Sequence, residues 1–355
     1  MTKFLRRVLT ACVLKWQHCL ALDFPSDFYL EVTSACNLRC PACVRTYSKR
    51  PRQHMDKSIF RKAIEEISSE RPNLEHLGLH FFGEALLNPQ FFDFIELARS
   101  YLPNTYLAVS SNASFLSSEK TDKLLNSSLD SFGIWPDTTD PRQYDQIRTG
   151  GSLEIVESNL KELLQKRRLR HREDIEVHIG MILFKDNLPF LHDFLERWKL
   201  ICSRYENVHI VAAESHDWAG EVPSDNVLNS VARSSLFIKV PCLMLMPFRN
   251  CVISAEGYIT PCCFDGNLKL GLGNIKDDSI KNIWNGKAAS DLREKMITAS
   301  ILPSDLCWRC HAYNANIFSI WRMLPGTRGI FRKPYDKYAL SHLRSLKRVS
   351  ALRKG

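Results

Sequence analysis

The sequence predicts an α/β fold, a parallel sheet closed or nearly closed by right-handed crossovers, followed by a small cysteine-rich domain. Three observations carry the prediction. Strand-like runs alternate with helical stretches six times in the first two thirds of the chain; a break rich in polar residues, Gly and Pro follows; a second group of cysteines lies beyond it. Successive parallel strands need crossover connections, and these are right-handed in nearly all folds.

The elements follow in order. Phe28 to Val32 is the first strand-like run. The helix after it is capped by Asp56, and Phe60, Ala63, Ile64 and Ile67 form one apolar stripe at helical spacing. Leu77 to Phe81 is the second strand. The next helix opens with Asn88 and Pro89, a cap followed by the proline that suits a first turn. Tyr106 to Ser110 and Ser131 to Trp135 are the third and fourth strands, and Ile155, Val156, Leu160, Leu163 and Leu164 line the helix that follows. Ile175 to Leu183 is the fifth, with Phe190, Leu191, Phe194, Leu195 and Trp198 on the next helix, and Val208 to Val211 is the sixth. In barrels of this kind the chemistry sits at the C-terminal ends of the strands.

Cys36, Cys40 and Cys43 occupy the loop after the first strand, in CNLRCPACVR. Gaps of three and two residues suit three corners of a 4Fe-4S cluster and leave one iron open to a small molecule. The alternative is a zinc knuckle, which wants a fourth Cys or His close by; the nearest His downstream, His54, lies beyond a basic, turn-like segment. HFFGEALLNP follows the second strand, Ser110, Ser111 and Asn112 end the third, and GIWPDTTDPRQYDQIRTGG spans the fourth. Together these motifs resemble the radical S-adenosylmethionine (SAM) superfamily.

That resemblance implies a partial (β/α)6 TIM-like barrel. It also implies that SAM chelates the fourth iron and is cleaved reductively to methionine and a 5'-deoxyadenosyl radical. Gly83 and Glu84 match the family's Gly-Gly-Glu region, where the carboxylate meets the ammonium of methionine. Ser110 and Asn112 fall where polar side chains meet the ribose. Asp137, Tyr144 and Arg148 match the order of the fourth-strand motif, in which the arginine pairs with the SAM carboxylate. The ordinary alternatives are a solvated loop acid, turn residues and a helix-surface arginine. Three positions depart from the family pattern: Phe82 replaces the first glycine, Trp135 the usual serine, and Ala42 the aromatic or large apolar residue commonly found beside adenine.

The second cysteine set, with Cys242, Gly257, Cys262, Cys263, Cys307 and Cys310, resembles the SPASM or shorter twitch extension of radical SAM enzymes. Asp265, Gly273, Asn274, Ile275 and Trp284 fit the same consensus. The resemblance implies that Cys242, Cys262, Cys307 and Cys310 ligate one auxiliary 4Fe-4S cluster, closed by its four thiolates against substrate. A four-cysteine zinc site has the same stoichiometry, and Cys263 is an alternative to its neighbour Cys262. Cys251 reads as a buried, apolar-like residue, and Cys12, Cys19 and Cys202 as packing residues in helix-like stretches.

The expected organisation is a basic amphipathic segment at 1–25, the barrel at 26–214, a linker or lid at 215–240, the auxiliary domain at 241–312 and a basic tail at 313–355. With 355 residues, 45% of them hydrophobic, the chain can bury a barrel core and a smaller domain. Twelve cysteines in short clustered spacings favour metal ligation in a reducing compartment over secreted disulfides, so a cytoplasmic location is expected. No apolar run reaches transmembrane length. The chain is +9 overall, but 326–355 carries +8 and 1–15 carries +4, which leaves the body slightly acidic at −3. A broad nucleic-acid surface is therefore disfavoured, while either basic end suits an anionic partner such as an acidic membrane.

The expected activity is that of a radical SAM oxidoreductase served by a flavodoxin- or ferredoxin-like electron donor. Asp265, near the auxiliary cysteines, is the candidate base. A small polyol, sugar or aminocyclitol is the expected substrate, because fewer than thirty residues precede the first strand, too few for a separate peptide-binding domain. The alternatives are a peptide maturase and, outside enzymes, an iron-sulfur electron carrier.

Overall fold

The computed structural model describes residues 22–223, 225–228, 237–239, 242, 244–298, 300–310 and 314–316. Most of the basic N-terminal segment, with Cys12 and Cys19, and nearly all of the basic tail lie outside the described residues. Among the described residues no helix is long and apolar enough to cross a membrane.

All six expected strands form. β1 (Asp27–Leu30), β2 (His76–Gly78), β3 (Tyr106–Ser111), β4 (Ser131–Ile134), β5 (Glu176–Leu183) and β6 (Val208–Glu214) lie side by side in chain order, every neighbouring pair parallel. β6 is one edge, so the sheet is open, a partial barrel. At the other edge β7 (Asn250–Ile253) pairs parallel to β1, setting Cys251 opposite Phe28. β8 (Tyr258–Thr260) and β9 (Gly273–Asn274) continue the sheet antiparallel, to nine strands among the described residues. Strands from beyond the expected linker thus extend the barrel's own sheet. A separate antiparallel ribbon joins 237–239 to 314–316.

Alternation along the strands sets the two faces. Phe28, Leu30, Leu77, Leu107, Val109, Phe132, Ile134, Val177, Ile179 and Met181 enter the main core. The intervening residues, among them Tyr29, Gly78, His80, Ser110, Gly133, Trp135 and Gly180, take the opposite face. Two glycines there make room for rings: a Cβ on Gly78 would stand 2.4 Å from the Tyr29 ring, and one on Gly180 2.1 Å from the Trp135 ring.

The helices bury the expected stripes, with three adjustments. Asp56 caps the helix Lys57–Glu70 by accepting from Ser58 N at 2.7 Å, and Phe60, Ala63, Ile64 and Ile67 are buried beneath it. Asn88 does not cap the next helix, which begins at Phe91. Its Oδ1 accepts from Gln90 N at 2.9 Å and its amide donates to Val32 O at 2.7 Å, so it closes a turn and ties that turn to the end of β1. Ile155 and Phe190 face solvent, 51% and 38% exposed, because Val156 and Leu191 beside them take the core positions.

Candidate active site

The loop carrying Cys36, Cys40 and Cys43 leaves the C-terminal end of β1 and returns through a one-turn helix, Val44–Tyr47. His54 is drawn back to that strand end, its Nδ1 2.9 Å from Thr33 Oγ1. The three thiols act on one another. Burial pushes Cys36 up to about 11 and Cys43 up to about 12, and the neighbouring Cys40 thiol raises both. Such thiols keep their protons at neutral pH until a bound cation displaces them.

The loops after β2, β3 and β4 converge on this one. Gly83 is dictated by contact: a Cβ there would lie 1.9 Å from Thr33 O and 2.9 Å from Ala35 O. Glu84 N donates to Ala35 O at 2.8 Å. The Glu84 carboxylate is buried and accepts from Ser111 Oγ (2.7 Å), Asn112 N (2.7 Å) and Leu86 N (3.1 Å). Burial raises its pKa, and these donors oppose the rise. It is therefore an interior hub of three strand ends, and the solvated-acid alternative fails. Asn112 reaches the first thiol, its amide 2.9 Å from Asn37 Oδ1 and 3.9 Å from Cys36 Sγ. Ser110 instead points along the other face, where a Cβ on Gly133 would meet its Oγ at 3.2 Å. Ser111, its neighbour, makes the contact to Glu84.

Arg148 is not a surface residue. Its side chain is 15% exposed; Nη2 pairs with Asp137 Oδ2 at 2.5 Å, and Nη1 stands 3.7 Å from Cys40 Sγ. Burial pulls its pKa down, but Asp137 and Cys40 outweigh that and hold the guanidinium charged. Its Nε is buried and has no partner among the described residues. Asp137, at φ +60°, also accepts from Ile182 N at 2.7 Å, which anchors the pair to β5. A positive charge held 3.7 Å from Cys40 Sγ favours the thiolate form in which a cysteine binds a metal cluster.

The C-terminal thiols form a second group. Cys307 lies within a 3-10 turn, Leu306–Arg309, and Cys310 directly follows it; Cys310 N donates to Cys307 O at 3.1 Å. Cys242, Cys307 and Cys310 are buried in one apolar cluster against which Cys262 and Cys263 pack. Burial raises the Cys242, Cys262, Cys263 and Cys307 thiols. Cys262 feels Cys263, Cys310 and Cys242, and Cys263 feels Cys242. Among the described residues no three Cys, His, Asp or Glu side chains are grouped for a single metal ion. Cys251 and Cys202 lie in the main core.

Asp265 is 1% exposed and accepts from Thr260 Oγ1 (2.7 Å), Lys269 N (2.7 Å) and Leu270 N (2.8 Å). All three bonds stay within its own hairpin and loop. Burial raises its pKa and these donors oppose the rise; the bonds make Asp265 a clamp on the loop after Cys262. Sequence reasoning also passed over Trp218, whose indole N–H donates to Ala42 O at 2.8 Å inside the first cysteine loop. A lone aromatic in a polar segment was the only available signal.

A family model described as the radical SAM superfamily matches residues 30–211, and one described as SPASM, an iron-sulfur cluster-binding domain, matches 242–311. A Pyrococcus furiosus relative is named a tungsten-containing aldehyde ferredoxin oxidoreductase cofactor-modifying protein; it is 24% identical over 298 residues, 73% of this chain and 80% of the relative. A Niallia circulans relative, named an S-adenosyl-L-methionine-dependent 2-deoxy-scyllo-inosamine dehydrogenase, is 22% identical over 290 residues, 79% of this chain and 91% of its own length. Among solved structures, Streptococcus suis SuiB bound to the precursor peptide SuiA shares the fold, with TM-score 0.58 and 13% identity, over 86% of this chain and 73% of SuiB.

Proposed function

Because the chain belongs to the radical SAM superfamily, we propose that it is an oxidoreductase that dehydrogenates a small hydroxylated molecule, a polyol, sugar or aminocyclitol. Its two matched parts imply SAM and two iron-sulfur clusters as cofactors. When bound, these supply reductive cleavage of SAM to a 5'-deoxyadenosyl radical that takes a substrate hydrogen atom, and an acceptor for the electron left behind. A flavodoxin- or ferredoxin-like protein is the proposed source of the first electron.

We assign Cys36, Cys40 and Cys43 to the SAM-binding cluster and Cys242, Cys262, Cys307 and Cys310 to the auxiliary one. Arg148 offsets the thiolate charge at Cys40 and is kept from turning away by Asp137. A carboxylate has about four acceptor positions; Glu84 spends three on its own loops, which leaves one for an ammonium N–H. Gly83 brings the β1 and β2 loops into backbone contact, and Asn112 fixes Asn37 next to Cys36.

The observation that carries this reading is that Cys242, Cys307 and Cys310 share one buried cluster against which Cys262 packs. Four thiolates close a cluster to substrate and leave it the role of an electron relay. The small-molecule preference is supported by the rings of Tyr29 and Trp135, which occupy the inner face over Gly78 and Gly180 and narrow it. The name of the N. circulans relative points the same way.

The test is anaerobic reconstitution. The protein should bind about eight iron atoms, and Cys36, Cys40 and Cys43 replaced together by Ala should halve that. The double variant Cys307→Ala, Cys310→Ala should still form 5'-deoxyadenosine while losing oxidised product from a polyol panel. Zinc alone after reconstitution would overturn the assignment, and oxidised product from the double variant would end the electron-relay role. Turnover of a precursor peptide in place of every polyol would move the substrate to the peptide class.

A further inference from the structure

We propose that the strap 217–222, and Trp218 within it, is a positioning element that couples the two thiol sites, so that SAM bound at the first is felt at the second. The inference rests on the SAM and auxiliary-cluster reading above. Read as sequence, this segment is the start of a polar linker. In the structure its successive residues reach both sites.

Toward the first site, Trp218 donates to the carbonyl of Ala42, between Cys40 and Cys43, at 2.8 Å. Its ring meets Phe82, the residue before Gly83 and Glu84, edge-on at 4.9 Å. Val222 packs with Val44 and Phe82. Toward the second, the same ring meets Phe264, the residue after Cys263, at 5.7 Å. Ala219 is buried in the cluster that contains Cys242, Cys307 and Cys310. A Cβ on Gly220 would come within 2.9 Å of Arg309, between Cys307 and Cys310. Glu221 accepts from Asn267 and pairs with Lys269 at 2.6 Å, both on the loop that Asp265 clamps.

The backbone shows how firmly these contacts hold. Trp218, Ala219 and Gly220 have φ of +51°, +59° and +84° in succession. Two side-chain-bearing residues in the left-handed region persist only where their surroundings over-determine them. Here the surroundings are the two cysteine loops themselves. A close-packed wedge with one side on each loop passes a displacement of either to the other.

Hydrogen exchange of the anaerobically reconstituted full chain, with and without SAM, tests the coupling. In the wild type SAM should slow exchange at 36–44 and also at 261–268, by about threefold or more in each. In Trp218→Ala the protection at 36–44 should remain and that at 261–268 should vanish. Trp218→Phe, which keeps a ring and loses the N–H, guards against a folding failure and should lose about half of the transmitted protection. Unchanged protection at 261–268 in both variants overturns the proposal. So does wild-type protection confined to 36–44, which leaves the SAM site standing; protection in neither loop overturns the SAM reading itself.

Discussion

At the scale of the residue, the Arg148 and Asp137 pair decides how the first site tolerates charge. Asp137 is 2% exposed as a side chain and its partner 15%. Truncating one member of such a pair strands the other, at a cost of about 3–5 kcal/mol. Arg148→Ala should therefore unfold at a clearly lower urea concentration than the wild type. Arg148→Lys keeps the charge but not the planar fork. Its fold should survive while 5'-deoxyadenosine formation slows about tenfold, the worth of one strong hydrogen bond. Equal urea midpoints for Arg148→Ala and wild type would show that Asp137 does not depend on the pair.

At the scale of the element, the helix Lys57–Glu70 isolates what a cap contributes. Asp56 accepts from both the backbone N and the hydroxyl of Ser58, and these bonds lower its pKa. Asp56→Ala should cost about 1 kcal/mol. The folded-state pKa is depressed, so the contribution is fully present above the unfolded value near 3.9 and is lost as pH falls through the folded one. The gap between wild type and variant in urea midpoint should hold from pH 7 to pH 5 and close below about pH 4. A gap independent of pH would assign the effect to helix propensity alone.

At the scale of the whole molecule, Arg50 joins the barrel to the C-terminal region. It pairs with Glu31 just past the end of β1 and with Glu256 in the β7–β8 turn at 2.6 Å, and it donates to Gly266 O at 3.0 Å. Glu31 has no exposed side-chain surface and takes a further bond from Ala255 N at 3.0 Å. Arg50→Met leaves that carboxylate buried and unpaired, so about 3–5 kcal/mol should be lost. Glu256, 12% exposed, should cost less when changed to Ala. The check is the order of thermal midpoints at one scan rate: wild type, then Glu256→Ala, then Arg50→Met. The reverse order of the two variants would place the main contact at the turn instead of at β1.

The sequence by itself determined the local patterns and the chemistry of the thiols. Six strands and the helices between them follow from periods of two and about 3.6, and cysteine spacing is a short-range property that survives any packing. The same legibility extends to Gly83 and Glu84, whose loop lies directly on the first cysteine loop. What the sequence left open depends on residues far apart in the chain meeting one another. Ser111 reaches Glu84 while Ser110 takes the opposite face, because successive residues of a strand alternate faces. Asn88 reads as a helix cap, but its amide is claimed by Val32, 56 residues away. Asp265 reads as a candidate base, and only the fold shows the three donors, from Thr260, Lys269 and Leu270, that make it a clamp. The joining of β7 to β1, the Arg50 network and the wedge at Trp218 are tertiary in origin. Strand pairing, ion-pair partners and ring contacts are fixed by where the folded chain brings distant segments together, and no local pattern encodes that distance.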